Sequence, residues 1–270
     1  MPYLAIETGI EPRYETRLIE SAKKFGWEIV KVNCNKGSWT FGDDYYDLSK
    51  GFMKRTDVWF HGDITSSQYA GVNTDWKVST DWNALTYYNV LVHGGKDCLN
   101  DSPEWTTLDK LLNHPITYIK TSHFVRPNNV TKVFGGQIVS LATLNKDLGM
   151  LKAYEPPGST VIVIAEAKKI ITEARFVVIG NKLITGSVYQ IDRQPIEVAV
   201  TSQQTLVAEH LLKVLLDKGF ESSSPWTLDI CQLHSGEWKI VEVGALSCSG
   251  LYLCDTGKIV EALNKFYFGG

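Results

Sequence analysis

The chain lacks most of the signatures that settle a protein's class at a glance. No apolar stretch approaches the roughly 20 residues a helix needs to span a bilayer. The longest, residues 161–165, has the size of a strand. Residues 1–10 carry Glu7 and no basic start followed by an apolar run, so no secretory leader is expected. Basic residues number 27 against 30 acidic ones, a net charge of -3 with no polybasic stripe, which argues against non-specific nucleic-acid binding through phosphate charge. The five cysteines, Cys34, Cys98, Cys231, Cys248 and Cys254, are odd in number and contain no C-x-x-C pair. Free thiols and a cytoplasmic location are the expectation; a zinc site or disulfide at Cys248 and Cys254 would lack a neighbouring His or third Cys. No G-x-x-x-x-G-K-[ST] string occurs, so any phosphate site is not a P-loop. The histidines are scattered, and His61 and His123, each beside an apolar strand, read as structural.

What remains is an ordinary globular composition on a chain of 270 residues, long enough for two or three lobes. Residues 1–95 alternate strand, helix and strand: 3–6 extended, 15–25 with helical spacing ended by Gly26, then 27–32 and 58–60 extended. That order predicts a small parallel sheet, followed by strand pieces and aromatic loops up to Gly94-Gly95. Over residues 96–164 the pattern predicts a short helix at 105–112, extended chain at 116–126 and a polar loop at 128–136. A returning strand at 137–142 and a buried strand at 160–164 complete that stretch. Residues 165–270 hold two hairpins, 174–189 across Gly180-Asn181 and 226–243 across His234-Ser235-Gly236. Between the hairpins lies a helix with Leu206, Val207, Leu211, Val214 and Leu215 on one face, and a helix at 257–266 closes the chain.

Four local constellations carry chemistry. The loop F-V-R-P-N-N-V-T-K-V-F-G-G-Q places Arg126 and Lys132 on a glycine-ended hairpin; a guanidinium can fork two phosphate oxygens and an ammonium can act as a point charge. The run V-I-V-I-A-E ends an apolar strand at Ala165 and Glu166, where backbone could meet an adenine edge and a carboxylate a ribose. Glu173 and Arg175, two apart on a strand, share a face. Asp229 and Glu242 sit among apolar neighbours on paired strands, where a carboxylate is costly unless paired or bound to a cation. Magnesium, a hard cation that takes oxygen ligands and keeps contact with substrate phosphates, suits such a pair. Each piece also has a plain reading: a solvated hairpin, a strand running into a charged loop, a surface ion pair, or carboxylates pointing to water.

Together and in this order, these motifs resemble the ATP-grasp superfamily. The likeness is nearest to a clade, often encoded by bacteriophages, with an arginine and then a lysine in the phosphate-binding hairpin. The matching stretches also include E-A-R-F-V-V-I-G-N-K-L-I-T-G-S-V-Y, W-T-L-D-I and V-E-V-G-A-L-S-C-S-G-L-Y-L-C-D, over roughly residues 118–260. The resemblance implies an α+β fold of two lobes gripping a nucleotide, residues 96–164 and 165–270, preceded by a Rossmann-like α/β domain at 1–95. It implies ATP and Mg2+ as cofactors. Arg126 and Lys132 would hold phosphates, and Ala165-Glu166 would be the adenine-side hinge. Glu173 and Arg175 would lie in the active-site sheet, with Asp229 and Glu242 on the metal. Where the superfamily often has Glu-x-Asn, this chain reads Glu242-Val243-Gly244, which makes Ser247 the candidate replacement ligand. The implied activity is ligation of a carboxylate to an amine or thiol through an acylphosphate. The small-molecule or peptide substrate would carry the carboxylate, with no membrane or nucleic-acid partner. A phosphotransferase on the same fold, or a nucleotide-binding module without turnover, stays open.

Overall fold

The protein is described by a computed structural model over residues 1–35, 38–41, 51–129 and 132–269. The side chain of Cys34 and the loop residues 130–131 fall outside that description. Strand β1 (Tyr3–Glu7), helix α1 (Pro12–Lys24), β2 (Glu28–Asn35), β3 (Ser38–Phe41), β4 (Val58–His61) and α2 (Ile64–Asn73) open the chain. Their sheet runs β3-β2-β1-β4, with β1 parallel to both β2 and β4 as the strand–helix–strand order predicts, and β3 added antiparallel. Aspartate at the α2 N-cap explains that helix's start: the Asp63 carboxylate accepts from the Ser66 amide at 2.6 Å. The sequence pattern predicts loops here and again before Gly95. Instead α2 and α3 (Tyr87–Gly94) form, each with an Asp or Thr cap that a search for apolar periodicity passes over.

The middle of the chain forms β5 (Glu104–Thr107), α4 (Leu108–Asn113), α5 (Pro115–Tyr118), β6 (Ser122–Pro127), β7 (Gln137–Ser140), α6 (Leu144–Lys152) and β8 (Val161–Glu166). Two expectations change. The helix expected at 105–112 begins only at Leu108, because Glu104–Thr107 pairs with β8 as a strand. The extended chain expected at 116–126 begins only at Ser122, because Pro115 starts a short helix where its missing N–H costs nothing. The resulting sheet, β5-β8-β6-β7, buries Val125, Val139, Ile162 and Ile164 against α4 and α6 residues Leu108, Leu111, Leu148 and Leu151.

The last part forms β9 (Ile170–Ile179), β10 (Lys182–Ile191), β11 (Gln194–Ala199), α7 (Ser202–Asp217), β12 (Trp226–Leu233), β13 (Trp238–Ala245) and α8 (Thr256–Phe268). The sheet order is β11-β10-β9-β12-β13. Strand β11 has no counterpart in the sequence pattern; most of it is exposed, so it carries little apolar signal. On α7 the buried face is Ala208, Leu211, Leu212 and Leu215, and Leu206 is 65% exposed. Residues 174, 176 and 178 of β9, with Leu228 and Ile230 of β12, pack on the α7 side. Alternation therefore turns Glu173, Arg175, Thr227 and Asp229 to the other face, and Val177 and Ile179 there join a core shared with α1, α8 and β1. No described helix is long and apolar enough to cross a membrane.

Candidate active site

Three residues line up across three strands of the C-terminal sheet. Arg175 on β9 is the register partner of Asp229 on β12, and Asp229 is the partner of Glu242 on β13. The Arg175 guanidinium donates to both Asp229 oxygens, Nε to Oδ1 at 2.8 Å and Nη2 to Oδ2 at 2.7 Å, and its remaining nitrogen donates to the Gly250 carbonyl at 3.1 Å. Asp229 is 2% exposed. Burial works against the Arg175 charge, but Asp229 more than offsets it and holds the pKa well above its usual value. Next to the pair, the Tyr189 hydroxyl donates to Glu173 Oε2 at 2.8 Å, and the Gln190 amide also donates to Glu173. Burial raises the Glu173 carboxyl above its ordinary range, and the charges of Asp229 and Glu242 add to the rise.

Glu242 is bound from the opposite sheet. Arg126 Nη2 on β6 lies 3.0 Å from Oε2, and Lys132 Nζ donates to Oε1 at 2.7 Å. Burial would push the Glu242 carboxyl up; Lys132 and Arg126 outweigh it and hold the pKa at about 2 rather than 4.5. The sequence suggests an exposed hairpin for Arg126, yet it is 5% exposed with its guanidinium 4.6 Å over the Tyr87 ring. Gly136 allows β7 to close over it, since a Cβ there would meet the Phe124 ring at 2.5 Å. Two bare carboxylates in register would repel; with Arg175 on one and two cations on the other, each is already neutralised.

These groups edge a cavity of about 350 Å³ between the two sheets. Leu99, Ile170 and Val241 supply apolar lining from the C-terminal side, and Phe124, Phe134 and Ile138 from the other. Lys132, Arg126, Glu242, Glu173, Tyr189 and Arg193 supply the polar lining. Ala165 and Glu166 do not line it. Ala165 is buried and Glu166 exposed at the end of β8, and the chain reaches the cavity two residues later, at Ala167 and Lys168. A pattern that ends at the last apolar residue of a strand cannot locate where the chain turns into the cleft.

Ser247 also departs from expectation. It is fully buried, donates to the Phe60 carbonyl at 2.8 Å and accepts from the Ser79 amide at 2.8 Å, so its hydroxyl ties β4 to the C-terminal sheet and does not face the carboxylates. Gly244 has a steric cause: a Cβ there would lie 2.8 Å from Thr227 Oγ1 and 3.1 Å from Ser249 Oγ, two hydroxyls in contact with each other. An asparagine ligand has no room at that position. Among the described residues no group of three or more Asp, Glu, His or Cys is arranged to hold a metal. The donors present fit a cation held by one or two carboxylates and completed by substrate phosphates, and they do not fit a metal cluster held by protein alone.

A second cavity, about 550 Å³, opens on the other side of Lys132. Glu11, Tyr14, Asp63, Thr65 and Gln68 line it from the N-terminal sheet, and Cys248, Gly250 and Tyr252 from the C-terminal one. Tyr252 holds φ at +46°, a conformation in which a bulky residue is strained, and it stacks on Tyr189 with centroids 5.0 Å apart. Its carbonyl accepts from Arg17, and Arg175 lies over its ring at 5.4 Å. Neither Tyr252 nor Tyr189 stands out in the sequence, because strain and stacking leave no one-dimensional pattern.

Two sheets closing on a cleft, with cations from one facing carboxylates from the other, define an ATP-grasp protein. Residues 79–263 match the model of an ATP-grasp domain family, the third of its clade, and the chain belongs to that family. Solved structures share the fold. D-cycloserine synthetase DcsG superposes with a TM-score of 0.62 at 13% identity, covering 97% of this chain and 99% of that one. VanG D-Ala:D-Ser ligase from Enterococcus faecalis gives 0.61 at 11% identity, covering 98% and 99%. D-alanine–D-alanine ligase from Bacillus anthracis, complexed with ATP, gives 0.60 at 14% identity, covering 100% and 98%. Among curated proteins no sequence matches the chain.

Proposed function

We propose that this protein is an ATP- and magnesium-dependent ligase that activates a carboxylate as an acylphosphate and transfers it to an amine. The observation that carries this reading is the convergence of Arg126 and Lys132 on Glu242 at the edge of a cavity with apolar walls. Both cations suit phosphate oxygens, and a polyphosphate would replace a single carboxylate as their partner. Arg126 would fork two oxygens and Lys132 would sit nearest the transferred group. Glu242, with Asp229 beside it, would hold magnesium, which supplies charge neutralisation along the phosphates when bound.

In the first step a substrate carboxylate oxygen attacks the γ-phosphorus, the bond to the β–γ bridging oxygen breaks, and ADP leaves. In the second the amine nitrogen attacks the acyl carbon, phosphate leaves with the bonding pair, and the nitrogen loses a proton. The residues' share is positioning and charge stabilisation. Lys132 lines both cavities, so the second cavity is where the carboxylate and the amine would approach the phosphate. Arg175, locked on Asp229, would keep that carboxylate ionised and oriented, and Arg193 would meet a substrate carboxylate. The divisions 1–95, 96–164 and 165–270 then correspond to acceptor-side domain, phosphate-side lobe and metal-side lobe.

Gly244 favours one competing reading, a nucleotide-binding module without turnover, because the position of a second neutral ligand is sterically closed. The test is ADP release from Mg-ATP against a panel of amino acids and peptides, with mass spectrometry of products. ADP with an amide supports the ligase. ADP with a phosphorylated acceptor makes it a phosphotransferase, and bound nucleotide without ADP makes it a binding module.

A further inference from the structure

Residues 99–101 run along the edge of β13 as a strap whose polar groups are almost all engaged. The Leu99 amide donates to the Ile240 carbonyl at 2.7 Å, and the Leu99 carbonyl accepts from the Lys168 ammonium, which also reaches Asp101 at 3.2 Å. The Asn100 amide donates to the Tyr87 hydroxyl oxygen at 3.2 Å, and that hydroxyl donates to the Asn100 carbonyl at 3.3 Å. The exception is the Asn100 side chain. The residue is 3% exposed, and its carboxamide nitrogen has no hydrogen-bond partner. A buried donor left this way carries its full desolvation cost, so an unsatisfied group in an otherwise satisfied strap calls for a ligand.

Asn100 lines the first cavity beside Leu99, Lys168 and Ile170. Three carboxamide residues line that cavity, and the other two are committed: Gln137 donates to the Asp147 carbonyl at 3.2 Å, and Gln190 donates to Glu173. The neighbouring wall is apolar, with Leu99, Ile170 and Val241 packed in one cluster and Phe124 and Ile138 coming from the facing sheet. An apolar slot with one free carboxamide suits a flat heteroaromatic ring. We infer that Asn100 reads the base of the bound nucleotide, through a carboxamide that matches the donor–acceptor edge of adenine. This rests on the nucleotide reading above and adds the residue that selects among nucleotides.

The chemistry is specific. A carboxamide offers one donor and one acceptor side by side. Adenine's amino group and adjacent ring nitrogen complement both, whereas guanine's O6 and N7 are both acceptors and leave the carboxamide oxygen unmatched. Turning the amide toward the slot needs only rotation about a soft terminal torsion. Tyr87 connects the two ends of the site: its hydroxyl holds the Asn100 backbone, and its ring lies under the Arg126 guanidinium. Base contact and phosphate contact thus depend on one tyrosine.

The test measures dissociation constants with magnesium by calorimetry for ATP, GTP and purine riboside triphosphate, which is adenosine triphosphate without its amino group. The proteins are the parent, Asn100→Leu and Asn100→Ala. The parent should prefer ATP over both analogues. Asn100→Leu should weaken ATP roughly tenfold or more, change the amino-free analogue far less, and collapse the preference. Its melting temperature without nucleotide should stay or rise, because the orphaned amide is gone; a structural role for Asn100 would lower it. Should Asn100→Leu not fold, Asn100→Ala and the parent's own ranking of the three triphosphates decide. Equal weakening of all three, or unchanged ATP affinity in the variants, overturns the assignment. If the parent binds none of them, the nucleotide reading itself fails and takes this one with it.

Discussion

Asp229 and Glu242 face each other across β12 and β13, yet they are neutralised from different places. Asp229 takes its counter-charge from Arg175 in the same sheet, in a two-pronged contact closed off by Gly250 and two stacked tyrosines. Glu242 takes its counter-charges from the facing sheet: Arg126 on β6, and Lys132, whose side chain is 41% exposed. The first contact is internal to one lobe and persists whatever fills the cleft. The second crosses the cleft between groups that each have a better partner in a magnesium-bound polyphosphate. In the proposed enzyme, one pair keeps the sheet in order and the other marks where substrate goes.

Amide substitution should separate the two pairs most strongly. Asp229→Asn leaves the buried Arg175 charge without its partner, a change that costs about 3–5 kcal/mol in comparable buried pairs. Urea unfolding should register most of that loss, together with loss of turnover. Glu242→Gln should abolish turnover with a smaller loss of stability, because Lys132 can return to water. If the two variants lose stability equally, the distinction between the pairs is wrong.

On the cation side the expected effects are graded. Arg126→Ala should weaken nucleotide binding more than Lys132→Ala does, and it should also lower the melting temperature, since Arg126 is buried over Tyr87. Arg126→Lys should not restore binding, because an ammonium cannot fork. Full activity in Lys132→Ala would remove that residue from the site.

A third prediction concerns acid. Glu242 titrates at about 2 when folded against 4.5 unfolded, so its share of stability is present above pH 4.5 and is lost as pH falls toward 2. His61 behaves differently. Burial lowers its pKa from 6.5 to about 4, so below pH 6.5 the unfolded chain takes up a proton that the folded chain refuses. Stability then declines by up to about 1.4 kcal/mol per pH unit between pH 6.5 and 4. His61→Phe should flatten the stability profile in that window and leave the lower one alone; an unchanged profile would show that His61 is not held neutral. The smallest expected effect on turnover is that of Ser247→Ala, which should lower the melting temperature through Phe60 and Ser79 while ADP release per folded molecule stays near the parent's.

Much of this arrangement is legible in one dimension. The pairing of β9 with β10 and of β12 with β13 follows from alternation and turn residues, so the sequence alone places Asp229 and Glu242 on paired strands. What alternation does not contain is which hairpin lies next to which. Arg175 meets Asp229 only because β9 sits beside β12, with the partners 54 residues apart. The sequence misplaces Ser247 for the same reason: its partners, Phe60 and Ser79, lie 187 and 168 residues away in the chain. Strand β5 reads as helix because Glu104–Thr107 is too short to declare a period, and its pairing with β8 decides the matter. Asn100 carries no signal at all, because an unsatisfied amide is visible only once every neighbouring group has been accounted for.

If the site works as proposed, Glu242 exchanges its two cations for a magnesium-bound nucleotide. Thermal melting of the parent and of Glu242→Gln with ATP, with magnesium present or chelated, reads that exchange without any knowledge of the substrates. ATP with magnesium should stabilise the parent, by the mass-action linkage of a ligand that binds only the folded state. Chelator or GTP should reduce the effect, and Glu242→Gln should gain little under any condition. Equal stabilisation of the two proteins by Mg-ATP would refute the exchange and return Glu242 to a structural role between the sheets.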